Sequence, residues 1–578
     1  MKLIIREYLS MLKESGELDI LIPDLLLGMG VQPLSKAQVG VRQYGVDVAA
    51  HGRDRDGVEK LFLLTIKQGD LSRRTWDDGS VQAVRPSLNQ IIDTYLDTHV
   101  HPAHSKLPKK IIVCCNGDMK QEVELDWKGY TKRNSKEGEI EFDFWGADRL
   151  SLLIEEYLLD EFLFPEQSRK DLRKTIALAD QLVEEPIHFY KLIERVLFEN
   201  AAIKPSNATG KASKSQLKVL SLLNLNLNVA FYWSREADNL RTAFLCAERM
   251  LLRVWDWIRL NDLLNDRKVI ERYLRIAKTY FNVMSAFVLK VAPHCSVEHG
   301  LFKYGTASEI EYPLRTFEIV GLLSSFGIML INFQDAPLDE GMRELLPDML
   351  KRTVELLCRL IDANPSASTP LCDEHSIDIV LGLVLLQRSG QQTVARRWVK
   401  KLSRNIISGY QIGKFFPVHT NSYEDLITLT FDKNQPKQTF MKTSTILPIL
   451  AEWHSVLEMK DDYTNFQQHA ITIFSHTHMM LWFPDESVDD HLYASNAGYT
   501  CGVGRSVLLH ESLDSIRSRI LKEKDAFKEL YGSLSCVEYN LFSLAAIASR
   551  HFRTPVLPYL WEHLQEEPCL ANGSSPKQ

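Results

Sequence analysis

Tyr44-Gly45-Val46-Asp47-Val48-Ala49-Ala50 and, after the polar connection 52–60, Leu61-Phe62-Leu63-Leu64-Thr65-Ile66-Lys67-Gln68 decide how the first part of the chain is read. Both runs are apolar and rich in β-branched or aromatic residues. The segment between them is charged and contains glycine, and the combination predicts a β-hairpin. Side chains alternate along a strand, so Thr65 and Lys67 share one face and Ile66 takes the other. With the two strands paired, Asp47 stands beside the Thr65 and Lys67 face. A carboxylate and a lysine so placed are suited to holding a divalent cation and polarising a phosphodiester. The plainer alternative is an exposed aspartate and a snorkelling lysine at a strand end.

Working outward, residues 18–30 read as a helix ending in glycine, 69–79 as a polar loop, and 86–96 as a helix opened by Pro86. Lys110-Ile111-Ile112-Val113-Cys114-Cys115-Asn116-Gly117 reads as a further strand. Phe142-Asp143-Phe144-Trp145 reads as another, running into a closing helix through Asp148-Arg149-Leu150. This order is the α/β grammar of a mixed sheet flanked by helices.

Gly-Val-Asp, a hairpin and a strand ending in Thr65-Ile66-Lys67, set among these elements, resemble the core motif of the restriction-endonuclease-like PD-(D/E)xK nuclease superfamily. The likeness is to the branch holding Mrr-type restriction enzymes and archaeal Holliday-junction resolvases. It spans residues 1–165 and none of the remainder. The resemblance implies a metal-dependent DNA endonuclease using Mg²⁺ or Mn²⁺, in a prokaryotic restriction or anti-phage role. It makes Asp47 and the Ile66 carbonyl metal ligands, and gives Lys67 the task of orienting the attacking water or stabilising the phosphate. Thr65 stands where the family carries Glu, Asp or Gln, and a neutral hydroxyl is a weak ligand for a hard cation. The missing acid is then expected from the leading helix, Asp24 first and Glu17 second. The alternative is a nuclease fold degenerate at Thr65 that binds nucleic acid or serves as a scaffold beside a partner.

Arg73, Arg74 and Trp76, just past the motif strand, combine positive charge with a stacking surface for a nucleic-acid backbone or base. Arg42, Arg53 and Arg55 on neighbouring loops are further phosphate candidates, although a solvated surface arginine is the commoner role for each. Asp77 and Asp78 lower the local potential.

At 578 residues, with 45% hydrophobic and 25% charged residues, the chain is long enough for two to four globular domains. A formal charge of −7 does not advertise nucleic-acid binding, but a local patch is what touches DNA. Nine cysteines without zinc-ligand spacing fit a reducing cytoplasm, and Cys114 and Cys115 read as core filling. The longest uncharged run, 319–333, is shorter than the ~20 residues of a bilayer span and reads as a buried helix, so no membrane association is expected.

From residue 166 the apolar spacing turns to three and four, as in Val269-Ile270-Tyr273-Leu274-Ile276-Ala277-Tyr280-Phe281. Helices are predicted at 168–200, 214–232, 236–260, 268–292, 312–333, 340–363, 375–389, 391–408, 443–458, 462–482, 505–530 and 535–550. Residues 166–578 are therefore expected to be an all-α, irregular helical or solenoid-like region, with a linker or exposed loop at 202–214 and a disordered tail at 571–578. Trp255, Trp257, Trp398, Trp453, Trp482 and Trp561 read as helix packing. His476 and His478, with Asp485, Glu486, Asp489, Asp490 and His491, form another cluster of metal-capable types but have no recognised ligand spacing, and two residues apart on a helix the histidines would take different faces. Gly498, Gly502 and Gly504 lack the Gly-Lys-Ser/Thr ending of a phosphate loop. With no nucleotide-hydrolysis motif in the chain, translocation calls for a partner ATPase or other defence component. Cleavage of two strands by a single-site domain calls for at least a homodimer.

Overall fold

The computed structural model describes residues 2–34, 44–158, 164–181, 185–200, 210–303, 308–334, 340–432, 435–494 and 501–562. Its chain forms two compact units, one from Met1–Met250 with Leu260–Thr279, the other from Leu251–Arg259 with the chain from Tyr280 on.

The first unit opens with helices α1 (Lys2–Met11) and α2 (Asp19–Gly28), joined through a π-helical turn at Glu14–Leu18. Five strands follow: β1 (Gln32–Pro33), β2 (Val48–Arg53), β3 (Glu59–Lys67), β4 (Lys109–Cys115) and β5 (Ile140–Trp145), paired side by side in chain order. The β1, β2 and β3 pairings are antiparallel, while β3, β4 and β5 run parallel. The predicted hairpin forms, in the register Val48 opposite Leu64 to Arg53 opposite Glu59. The Asp47 N–H bonds the Leu64 carbonyl at 2.9 Å and carries the ladder one residue further, which brings Asp47 opposite Thr65.

Parallel neighbours need crossovers, and helices supply them. α3 (Arg73–Trp76) and α4 (Val84–Gln90), the latter continued by a π turn at Ile91–Tyr95, lie between β3 and β4. α5 (Gln121–Asn134) joins β4 to β5, and α6 (Ala147–Tyr157) follows β5 and packs on α1. Leu61, Leu63, Ile111, Val113 and Cys115 share one core with Trp76, Val84, Leu88, Ile91, Val123 and Tyr130. The alternate residues Phe62, Leu64, Ile112 and Cys114 are buried as completely. A sheet covered on both faces explains why β3 and β4 read as unbroken apolar runs. Among the residues that follow, the span read as one helix at 168–200 is Glu166–Ala177 and Ile187–Glu194, divided ahead of Pro186.

Gly45 has φ +83°, and a Cβ there would stand 2.2 Å from the Ser87 carbonyl oxygen. Only glycine lets the chain entering β2 pass so close to α4.

The second unit is mostly helical. The helix Glu311–Phe333 has a mean hydropathy of 1.6 over its most apolar window, 78% of which is buried within the protein, so it serves as a core helix. The unit is not all-α. β6 (Thr443–Ser444), β7 (His478–Pro484) and β8 (Gly502–Ser506) form a three-stranded sheet where helices were expected to run through 462–482 and from 505. The helix there stops at Ile473, and the helix expected from 505 begins only at Leu513. Along β7, Met479, Leu481 and Phe483 are buried while His478, Met480 and Trp482 are more open, a period of two hidden inside an apolar run.

Gly45→Ala should cost about 3 kcal/mol or more in denaturant unfolding, combining left-handed strain with a backbone clash. Gly57→Ala, at φ +81° with nothing within 4 Å of the added carbon, should cost only about 1–2 kcal/mol.

Candidate active site

Three chain segments meet where the hairpin opens. Asp47 enters β2, Lys67 ends β3, and Glu14 comes from the π turn after α1. Lys67 Nζ lies 3.2 Å from Glu14 Oε1, and the Gln68 N–H donates to Glu14 Oε2 at 3.3 Å. Asp47 Oδ2 accepts the Ile66 N–H at 2.6 Å, with the Thr65 hydroxyl at 3.5 Å. Asp47 Oδ1 has no hydrogen-bond partner among the described residues.

Burial raises the Asp47 carboxyl above its ordinary range, and the nearby Glu14 pushes the same way. The Ile66 N–H, the Lys67 ammonium and the Thr65 hydroxyl pull it down without restoring it. Two carboxylates thus face one ammonium, leaving an excess of one negative charge at a half-enclosed site.

Asn116, at the end of β4 and 2% exposed, sets the spacing. Its Nδ2 donates to the Leu9 and Leu12 carbonyls at 2.8 and 2.7 Å, and its Oδ1 accepts the Gly69 N–H at 2.6 Å. One buried amide therefore ties the end of α1, two residues before Glu14, to the backbone two residues past Lys67. Neither Glu14 nor Asn116 was singled out from sequence. A helix drawn to begin at residue 18 leaves Glu14 outside it, whereas the polar Asn116 closing an apolar strand was a readable signal.

The expected helix acids have other partners. Asp24 is 4% exposed and ion-paired with Arg275, and Glu17 Oε2 accepts the Lys13 N–H at 2.8 Å. Thr65 sits beside Asp47 and is buried, and the Ile66 side chain is core. Arg73 and Arg74 are exposed on α3. Trp76 corrects the reading of a stacking surface: it is 4% exposed and meets Trp127 and Tyr130 edge-on, because the helical turn capped by Ser72 rolls its ring into the core. Arg53 closes the far end of β2, six residues from Asp47 and so about 20 Å along the strand. Arg55, near it, pairs with Glu156. Arg42 lies outside the described residues, as do 201–209, the greater part of the expected linker, together with Gly498 and the tail.

In the second unit His476 bonds the Tyr410 hydroxyl at 2.9 Å, Asp489 bonds Ser535 and Tyr493, and Asp490 pairs with Arg259. His478 lies on β7 rather than on a helix. Gly502 and Gly504 lie on β8.

The described residues contain no group of three or more His, Cys, Asp or Glu arranged to hold a metal. Asp47 and Glu14 are two carboxylates. Mg²⁺ typically takes one or two carboxylates, keeps several waters and borrows substrate phosphate oxygens, so the donor set fits that ion. Comparison with models of protein families, with curated proteins and with solved structures gave no match to this chain.

Trp76→Ala should lower unfolding stability by about 3–5 kcal/mol, as a core deletion does, where a surface stacking residue would leave it unchanged. Asp47→Asn keeps an oxygen for the Ile66 N–H and removes the buried charge. A carboxyl raised on folding loses stability as pH climbs through its folded pKa, so the variant should melt higher than wild type at neutral pH. That gain should fade as acid protonates Asp47, which thermal melts across pH would follow.

Proposed function

We propose that the N-terminal sheet domain is a divalent-cation-dependent DNA endonuclease. The observation that carries this reading is the convergence of Asp47, Glu14 and Lys67 at one open end of the hairpin, with an uncompensated carboxylate oxygen on Asp47. Asp47 and Glu14, with the Ile66 carbonyl, would hold Mg²⁺ or Mn²⁺. When bound, that ion would polarise the phosphodiester and lower the pKa of a bound water. Lys67 stabilises negative charge developing on the phosphate, a role its ammonium can take as its pairing with Glu14 is exchanged for substrate oxygen. Arg73 and Arg74, exposed six and seven residues beyond Lys67, contact the DNA backbone.

The same reading makes the protein a cytoplasmic restriction or anti-phage component, active as at least a homodimer because each chain carries one such site. A partner ATPase would supply any translocation. A second reading, a nuclease fold that binds nucleic acid without cutting it, is favoured by Thr65: its neutral hydroxyl leaves two acids, one of them already paired with Lys67.

Purified protein incubated with supercoiled plasmid and Mn²⁺ should nick or linearise it. Asp47→Ala and Lys67→Ala should each lower the rate at least about 100-fold, and Glu14→Gln should fall comparably. Equal cleavage by wild type and all three variants would reject the assignment. Chelator-insensitive binding in a gel shift, with no cleavage, would establish the second reading in its place.

A further inference from the structure

The second unit encloses a cavity of about 330 Å³ among the helix His375–Arg388, the β7–β8 sheet and the Leu513–Ala526 helix. Trp482, Phe483 and Trp561 furnish aromatic wall, and Glu374, Glu452 and Glu523 line it with carboxylates.

The cations near it do not balance those acids. Arg519 stands 2.9 Å from Glu452, 3.2 Å from Glu511 and 3.4 Å from Glu523. Arg553 stands 3.2 Å from Glu374 and 2.9 Å from Asp378. Arg505, 4.7 Å over the Phe483 ring, is the third cation close to Glu523. Asp373 adds one more carboxylate, which accepts the Thr445 and Ile446 N–H groups at 2.7 and 3.1 Å. Among the described residues these three guanidiniums, with Arg550 packed beside Asp378, stand against six carboxylates. Burial, against the pull of Arg519 and Arg505 and with Glu452 pushing the same way, brings the Glu523 carboxyl up to about 7. Independently, the indole N–H of Trp482, another residue of the wall, is buried and has no hydrogen-bond partner among the described residues. A buried donor without an acceptor is costly, and a ligand oxygen would satisfy it.

We propose that this cavity binds a small organic cation, a protonated amine or quaternary ammonium carried on an apolar body. Indole and phenyl faces attract such a cation through their quadrupoles, and the surplus carboxylates supply the field. A bare metal ion would leave the aromatic wall unused, and an anionic nucleotide would meet repulsion. This site is independent of the proposed nuclease chemistry.

The test titrates the full-length protein by tryptophan fluorescence and thermal shift. The probes are phenethylamine and choline, with 2-phenylethanol and 3-phenylpropionate as the neutral and anionic counterparts and MgCl2 as the metal control. Both amines should bind saturably, the alcohol at least about tenfold more weakly, and the carboxylate and Mg²⁺ not at all at this site. Glu523→Gln should weaken phenethylamine binding at least fivefold. Trp482→Phe, which keeps an aromatic ring and removes the N–H donor, should weaken choline, whose hydroxyl can accept, more than phenethylamine, which has no acceptor. Absence of saturable amine binding to wild type would overturn the proposal, as would an alcohol that binds equally well. A Glu523→Gln protein with wild-type melting and unchanged amine affinity would overturn it as well.

Discussion

A carboxylate buried at the mouth of a two-stranded hairpin must find partners or give up its charge. Asp47 finds too few. The Ile66 N–H and the Lys67 ammonium reach it, but burial and the neighbouring Glu14 outweigh them, and one of its oxygens stays without a partner among the described residues. Much of the first unit serves to hold that arrangement. The hairpin register puts Asp47 opposite Thr65, the glycine at 45 lets β2 start against α4, and Asn116 locks the end of α1 to the end of β3 so that Glu14 arrives at Lys67.

The opposite end of the same sheet shows what a settled charge cluster looks like. There Lys60 lies 3.0 Å from Asp54 and 2.8 Å from Glu141, and Lys110 lies 2.9 Å from Asp54. Burial works against the Asp54 charge, yet Lys110, Lys60 and a backbone N–H bring its carboxyl down to about 2. Lys60 and Lys110 are shared there among Asp54, Asp56, Glu141 and Asp143, so every carboxylate has an ammonium beside it, and the network joins β3, β4 and β5 to the hairpin turn. At the Asp47 end the partners do not overcome burial, which costs stability. The cavity of the second unit follows the same logic, with more carboxylates than guanidiniums around an aromatic wall.

The sheet was legible because its information is local. Alternation and a charged, glycine-bearing turn define the hairpin, and the unbroken apolar runs at 61–66 and 111–115 mark strands covered on both sides. The pair Asp47 and Lys67 was legible because cross-strand neighbours follow from hairpin register. Helices in the second unit were legible where apolar residues recur at three and four. β7 was not, since Met479 to Phe483 is apolar at every position and only its pairing with β8 selects a strand.

Sequence by itself determined the hairpin, the two strands that follow it, and the placing of an aspartate and a lysine at one strand end, because each depends on residues close along the chain. It did not mark the helices Lys2–Met11 and Gln121–Asn134, the short strand β1, or the helical turn Arg73–Trp76 where a loop was expected. Tertiary structure alone decided which acid joins the aspartate and lysine. Asp24, Glu17 and Glu14 are all carboxylates on or beside the leading helix, and the choice depends on how that helix is clamped by an asparagine more than a hundred residues away. It also decided that Trp76 belongs to the core, for the direction of a ring leaving a four-residue helix is set by what packs around it. Contacts between distant segments carry no local signature, so their outcome is written only in the folded chain.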